Sequence, residues 1–191
     1  TLYGAVQGGY GYGAVFKLGT DGNGFQVIKS FDAITEGTHP VAGLWLSGAT
    51  LFGTTRTGGA DDVGTLFKVN TDGTGYTVLK HFTGSDGGAP WARLTLSGST
   101  LYGTTYSGGD LGAGTVFRVN TDGTDHTVLK HFSCCGAGDP TREGGFPYAG
   151  LTLMDGTLYG TTHAGGDLNH GTVFKVSTTG SGYTVLKHFT G

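Results

Sequence analysis

The side chains best suited to touch a ligand stand where otherwise similar segments of the chain differ. Arg56, Tyr106 and His163 each follow a Thr-Thr pair, while Val41, Trp91 and Tyr148 each follow a proline. Aromatic rings pack against the apolar faces of sugars, and neighbouring charged groups hydrogen-bond the hydroxyls. Arg56, Trp91, Tyr106, Tyr148 and His163 are therefore the ligand-binding candidates, for a glycan or a protein. The competing reading of Trp91 and Tyr148 is that they cover the core between neighbouring sheets.

Signatures of catalysis are sparse. The chain has no Gly-x-Ser-x-Gly elbow, no His-Glu-x-x-His and no phosphate-binding Gly-Lys loop. No catalytic residue is assigned. The glutamates are Glu36 and Glu143, and an acid pair such as Asp139 with Glu143 keeps a polysaccharide-acting enzyme with rim carboxylates as the alternative. Asp110 and Asp167 follow Gly-Gly pairs, with Asp61 and Asp62 at a similar place. Carboxylates on glycine-rich loops bind calcium through oxygen. The dense Asp-x-Asp-x-Asp of a strong calcium loop is missing, so turn capping is the plainer reading, and Asp110 and Asp167 stay weak calcium candidates. No other cofactor is suggested.

Cys134 and Cys135 are adjacent, which is no zinc spacing and no disulfide framework. A strained vicinal disulfide that stiffens a loop is the plainest reading. A ligand-contacting ring and bridges to other chains are the others, and an oxidising compartment favours all three. His81, His131 and His188 recur at one place in successive repeats. Equivalent places lie on different repeats, so these read as packed strand histidines and not as one metal site. Lys17, Lys68, Arg118 and Lys175 likewise read as repeat-equivalent solvated positions.

The elements that position these residues come from an internal repeat. Leu2-Tyr3-Gly4, Leu51-Phe52-Gly53-Thr54-Thr55, Leu101-Tyr102-Gly103-Thr104-Thr105 and Leu158-Tyr159-Gly160-Thr161-Thr162 recur at intervals of roughly fifty residues. A Gly-Thr-Val-Phe-Lys type of motif follows each, for example Gly114-Thr115-Val116-Phe117-Arg118. A third segment such as Tyr76-Thr77-Val78-Leu79-Lys80-His81-Phe82 alternates with period two. The interval before the last copy is longer because 133–147 carries an insertion. Each unit reads as four short strands, a to d. Strand a is Leu44-Trp45-Leu46 and its equivalents, and glycine-containing hairpin turns such as Ser97-Gly98 and Asp72-Gly73 separate the strands. No segment has a helical period. An all-β fold follows: a β-propeller of about four four-stranded blades, one lacking strand a. It forms a single domain over 1–191, with units at about 2–50, 51–100, 101–157 and 158–191. The missing strand leaves three expectations: a closed ring with one three-stranded blade, completion by another chain, or a place in a longer array.

Composition excludes other classes. The 191 residues carry a formal net charge of −3, with no basic excess for nucleic acid. No apolar run approaches the ~18 residues that cross a bilayer, so no membrane insertion is expected. Glycine is abundant, at 40 residues, yet does not recur every third position as in collagen. The chain starts at Thr1 without a signal peptide, so it reads as processed or as a piece of something longer.

The repeat motifs, with Pro40-Val41-Ala42-Gly43-Leu44 and Pro147-Tyr148-Ala149-Gly150-Leu151, resemble the bacterial choice-of-anchor tandem repeat GloVer-containing proteins. The second copy departs as Pro90-Trp91-Ala92-Arg93-Leu94. The resemblance covers nearly the whole chain. It implies a secreted or surface-anchored protein with a propeller-like fold, and it carries no catalytic residues over to this chain. The function expected is therefore a non-catalytic extracellular module for binding, adhesion or self-assembly, with self-association into a dimer or fibre as one form of partnering.

Overall fold

A computed structural model describes residues 1–8, 11–32, 34–133 and 142–190. Four antiparallel sheets follow one another along the chain. The first holds β1 (Leu2–Val6), β2 (Ala14–Leu18) and β3 (Gln26–Ser30). The second holds β4 (Trp45–Ser47), β5 (Thr50–Thr55), β6 (Thr65–Asn70) and β7 (Thr77–His81). The third is β8 (Thr95–Ser97), β9 (Thr100–Thr105), β10 (Thr115–Asn120) and β11 (Thr127–His131). The fourth is β12 (Thr152–Met154), β13 (Thr157–Thr161), β14 (Thr172–Ser177) and β15 (Thr184–His188). Strands are paired in sequence order in every sheet, and the first sheet has three strands. The one helical turn among the described residues is a 3-10 turn at Ile34–Glu36.

The Leu-Tyr-Gly-Thr-Thr motif has a steric basis. Its glycine faces the phenylalanine of the next strand: Gly4 pairs with Phe16, Gly53 with Phe67, Gly103 with Phe117 and Gly160 with Phe174. A Cβ at these glycines would stand 2.5–2.6 Å from the ring tip. Only glycine lets the ring lie flat across its neighbour strand.

The two threonines then fix the strand exit. Thr55 and Thr65 share a buried hydroxyl pair at 2.8 Å, as do Thr105 and Thr115 at 2.8 Å and Thr162 and Thr172 at 2.9 Å. The Thr65, Thr115 and Thr172 hydroxyls also donate to the carbonyls of Glu36, Asp86 and Glu143, in the loop that arrives from the preceding sheet.

Strict alternation along the outermost strand does not hold. In each sheet the register shifts between the last two strands, at Val15/Phe16, Leu66/Phe67, Val116/Phe117 and Val173/Phe174. Leu66 pairs with Lys80 while Phe67 pairs with Val78, so Leu79 is the extra residue of a bulge. Ile28, Leu129 and Leu186 are its equivalents. The bulge turns an edge strand's aliphatic side chain toward the next sheet. Lys17, Lys68, Arg118 and Lys175 also differ from expectation: they are half-buried. Lys17 donates to the Thr71 carbonyl of the neighbouring sheet at 3.4 Å.

Three apolar clusters fill the joints between successive sheets. Phe31, Val15 and Ile28 meet Leu51, Phe67 and Val69. Phe82 and Leu66 meet Leu101, Phe117 and Val119. Phe132, Val116 and Leu129 meet Leu158, Phe174 and Val176. No such cluster joins the fourth sheet to the first among the described residues, so the ring of sheets is not closed.

Candidate binding face

The loops that leave the second strand of a sheet and those that enter the next sheet run along one side of the molecule. Their backbones are pinned identically. The Arg56 N–H donates to the His39 carbonyl at 3.0 Å, Tyr106 to Ala89 at 3.1 Å and His163 to Phe146 at 3.1 Å. The Thr54 hydroxyl reaches the Pro90 carbonyl at 3.4 Å, and the Thr104 hydroxyl reaches Ala149 at 3.3 Å. Trp91 and Tyr148 are thus anchored beside the residues that follow the Thr-Thr pairs.

On this frame the five candidate residues form one unbroken chain of contacts. The Arg56 guanidinium lies 4.5 Å from the Trp91 ring centre. The Trp91 ring is 5.6 Å from Tyr148. Tyr148 in turn stands 4.6 Å from Tyr106 and 5.6 Å from His163. Tyr148 is 46% exposed, and Arg56 and His163 are exposed as well. None of the five belongs to the apolar clusters of the joints.

Trp91 also walls a depression of about 440 Å³ with Ala5, Val6, Gln7, Pro40 and Val41. The arc therefore runs from this depression, across three sheets, to His163. Phe146 extends it, 5.1 Å from Tyr106. Phe146 and Gln7 were missing from the sequence-based candidates. The same signal finds both: Phe146 stands where the other repeats have His39 and Ala89, and Gln7 where they have Arg56, Tyr106 and His163.

Among the described residues no carboxylate pairs with Arg56 or with Arg93. Arg93 instead donates to the Leu44 carbonyl at 3.1 Å and lies 4.7 Å from the Trp45 ring centre. The acids sit elsewhere. Glu36, Asp86 and Glu143 are ion-paired with Lys29, Lys80 and Lys130 at 2.8, 2.5 and 2.6 Å. Burial pushes the Asp86 carboxyl up, but hydrogen bonds from Lys80 and the Thr83 N–H outweigh it and leave the group below its usual value. Asp21 and Asp72 are held low chiefly by the N–H two residues on, of Asn23 and Thr74, and Asp122 chiefly by the Thr124 hydroxyl. These three cap hairpin turns. Asp139, the proposed companion of Glu143, lies outside the described residues, as do Cys134 and Cys135.

Asp110 and Asp167 lie on different sheets, each near one histidine: Asp110 is 3.6 Å from His131 and Asp167 is 3.9 Å from His188. Arg142 occupies Asp167 at 2.7 Å. No group of three or more His, Cys, Asp or Glu side chains comes together among the described residues. His131 accepts a hydrogen bond from the Asp110 N–H at 3.1 Å, whereas Nδ1 of His81 and of His188 is buried without a hydrogen-bond partner.

The repeat that builds this face has known counterparts. The Gloeobacter/Verrucomicrobia repeat matches residues 1–191. The chain belongs to that family. Membership agrees with the resemblance read from the motifs, and the sheets of this Gloeobacter/Verrucomicrobia repeat protein are those of propeller-like structures. A chain of the nidogen/laminin complex is 17% identical with a TM-score of 0.59, over 93% of this chain and 56% of its own length. TolB from Acinetobacter baumannii is 12% identical with a TM-score of 0.57, over 96% and 39%. The GH74 enzyme of Niastella koreensis is 17% identical with a TM-score of 0.59, over 92% and 26%. The repeat protein thus spans about half or less of these structures, and at such identities the likeness is one of fold. No curated protein matches it in sequence. Among the described residues no helix is long and apolar enough to cross a membrane.

Proposed function

We propose that this chain is a binding module of an extracellular surface protein and that its ligand is a glycan held on the aromatic arc. The observation that carries this reading is the continuous contact chain Arg56–Trp91–Tyr148–Tyr106/His163, built from the positions at which the repeats differ. The rings are tilted against one another, at 56° for Trp91–Tyr148 and 47° for Tyr106–Tyr148, and half-exposed Tyr148 offers an apolar face to a sugar. Arg56 has no carboxylate partner among the described residues, so it is open to an acidic substituent or to ring hydroxyls. Supporting the non-catalytic side, the acids with lowered pKa are engaged already, Asp86 by Lys80 and Asp21, Asp72 and Asp122 in hairpin turns.

Tryptophan fluorescence tests this directly. With Trp45→Phe as the background, Trp91 is the sole reporter. Titration with neutral and uronate-containing oligosaccharides is expected to change its emission saturably, with tighter binding for the acidic set. Trp91→Ala and Tyr148→Ala are expected to weaken binding about tenfold or more, measured by calorimetry, in line with roughly 1–3 kcal/mol for a stacking contact. An unchanged affinity in Trp91→Ala would sink the arc as the site.

A further inference from the structure

We infer that the outer faces of the first and fourth sheets are two halves of one more sheet-to-sheet joint, closed head to tail between copies of this chain. The three inner joints share one arrangement. The phenylalanine that ends one sheet meets the next sheet's phenylalanine edge-on: Phe31–Phe67 at 5.3 Å, Phe82–Phe117 at 5.2 Å and Phe132–Phe174 at 5.1 Å. A lysine lies over the following aromatic, Lys29 over Tyr76 and Lys130 over Tyr183, both at 4.5 Å. A turn glycine of the next sheet rests on the bulged aliphatic residue. A Cβ at Gly73, Gly123 or Gly180 would stand 2.9, 2.8 or 3.0 Å from the carbonyl oxygen of Ile28, Leu79 or Leu129.

Each outer face carries one half of this arrangement, already assembled. On the first sheet Phe16 and Phe25 lie 5.5 Å apart at 34°, close to Phe67–Tyr76 at 5.8 Å and 36°. Gly22, the turn glycine, has open space where the others meet a carbonyl. Leu2 is 55% and Phe25 52% exposed, whereas Leu51, Leu101 and Leu158 are fully buried. On the fourth sheet Leu186 is 48% and Phe189 40% exposed, whereas Phe31, Phe82 and Phe132 are fully buried. Lys187 is exposed beside them.

The internal joints therefore specify the occupant. Phe189 of one copy belongs against Phe16 of the next, Lys187 over Phe25, and Leu186 on Gly22. The threonine pair of the other joints is replaced on the first sheet by Val6 and Ala14, so this joint forgoes those hydroxyl bonds and is apolar there. The two halves sit on different faces of one chain, which makes the contact heterologous: it yields a ring if the rotation closes and a filament if it does not.

Sedimentation velocity on the 191-residue chain tests it, from micromolar to millimolar concentration. The wild-type chain is expected to form dimers or larger species whose fraction rises with concentration. Phe25→Asp removes one half and Leu186→Asp the other. Each variant alone is expected to be monomeric, and an equimolar mixture to form dimers and nothing larger, because only one intact pair of faces remains. Melting temperatures close to wild type verify that both variants are folded; should either charge unfold its sheet, Phe25→Ser and Leu186→Ser give the same reading. A wild-type chain that stays monomeric overturns the inference. So does a mixture that stays monomeric, or a single variant that still assembles.

Discussion

The joints between sheets and the aromatic arc are built from the same repeats but use opposite kinds of position. In the joints, equivalent residues are nearly identical from sheet to sheet: Phe31, Phe82 and Phe132, or Phe67, Phe117 and Phe174. Along the arc, equivalent residues are Arg56, Tyr106 and His163, or Trp91 and Tyr148. Uniform positions solve one packing problem three times. The five arc positions Arg56, Trp91, Tyr106, Tyr148 and His163 are free of that problem, because they contribute to none of the buried clusters, whereas Phe146 beside them packs against one. The difference separates what holds the repeats together from what they present.

The largest expected effect breaks a joint. Phe117 is fully buried, faces Gly103 across its own sheet and meets Phe82 edge-on. Phe117→Ala is expected to cost about 3–5 kcal/mol, as a large buried ring removed from a packed core does. Trp91→Ala, an aromatic deletion on the arc, is expected to cost well under half of that while reducing ligand affinity. Urea melts of the two variants check the contrast. Equal losses would mean that the arc is part of the stabilising framework after all.

A smaller effect comes from the buried hydroxyl pairs. In Thr105→Val the buried Thr115 N–H loses its side-chain acceptor, while the Ser107 carbonyl keeps the Gly88 N–H as a donor. A loss of about 1–3 kcal/mol is expected for leaving such a buried group unpaired. Thr100→Val, at the half-buried start of the same strand, is the control, expected to change stability by no more than about 0.5 kcal/mol.

Much of this was legible in the sequence because repeats expose their own logic. The four-strand unit, the hairpin turns at Asp72-Gly73 and Asp122-Gly123, and the smaller first sheet all follow from motif spacing, whereas the pairing of each motif glycine with a phenylalanine does not. The arc positions were legible as departures from the repeat. The bulge at Ile28, Leu79, Leu129 and Leu186 was not, since an inserted residue in a pairing register leaves the period-two pattern of a single strand unmarked. The half-burial of Arg118 was hidden for a related reason. Its exposure depends on the adjacent sheet, and nothing in Gly-Thr-Val-Phe-Arg says how closely that sheet approaches.

One joint breaks the uniformity, and it sharpens the comparison. Tyr76 and Tyr183 donate their hydroxyls to the carbonyls of Glu36 and Glu143 at 2.8 and 2.6 Å. The equivalent residue between the second and third sheets is His126, whose Nε2 is buried without a hydrogen-bond partner. His126→Tyr is expected to gain roughly 1 kcal/mol by supplying the missing bond to the Asp86 carbonyl. The same residue makes this joint respond to acid.

The smallest expected effect is this pH response. Burial, with Lys80 adding to it and Asp86 opposing, holds the His126 imidazole below its ordinary value of 6.5. Its ring stands 6.0 Å from Phe82 and 5.8 Å from Phe117, so the folded protein favours the neutral form. A group whose folded pKa is depressed contributes stability that is present above its unfolded value and is lost as pH falls through the folded one. The joint therefore weakens as pH falls below about 6.5, before Asp86, whose ordinary value is 3.8, begins to protonate. In His126→Tyr this contribution is gone, because a tyrosine stays neutral throughout that range. The difference in melting temperature between His126→Tyr and the wild-type chain is expected to widen from pH 7 to pH 5. A difference that stays constant would show that the ring in this joint titrates as freely as one in solvent, and that burial between Phe82 and Phe117 does not control its charge.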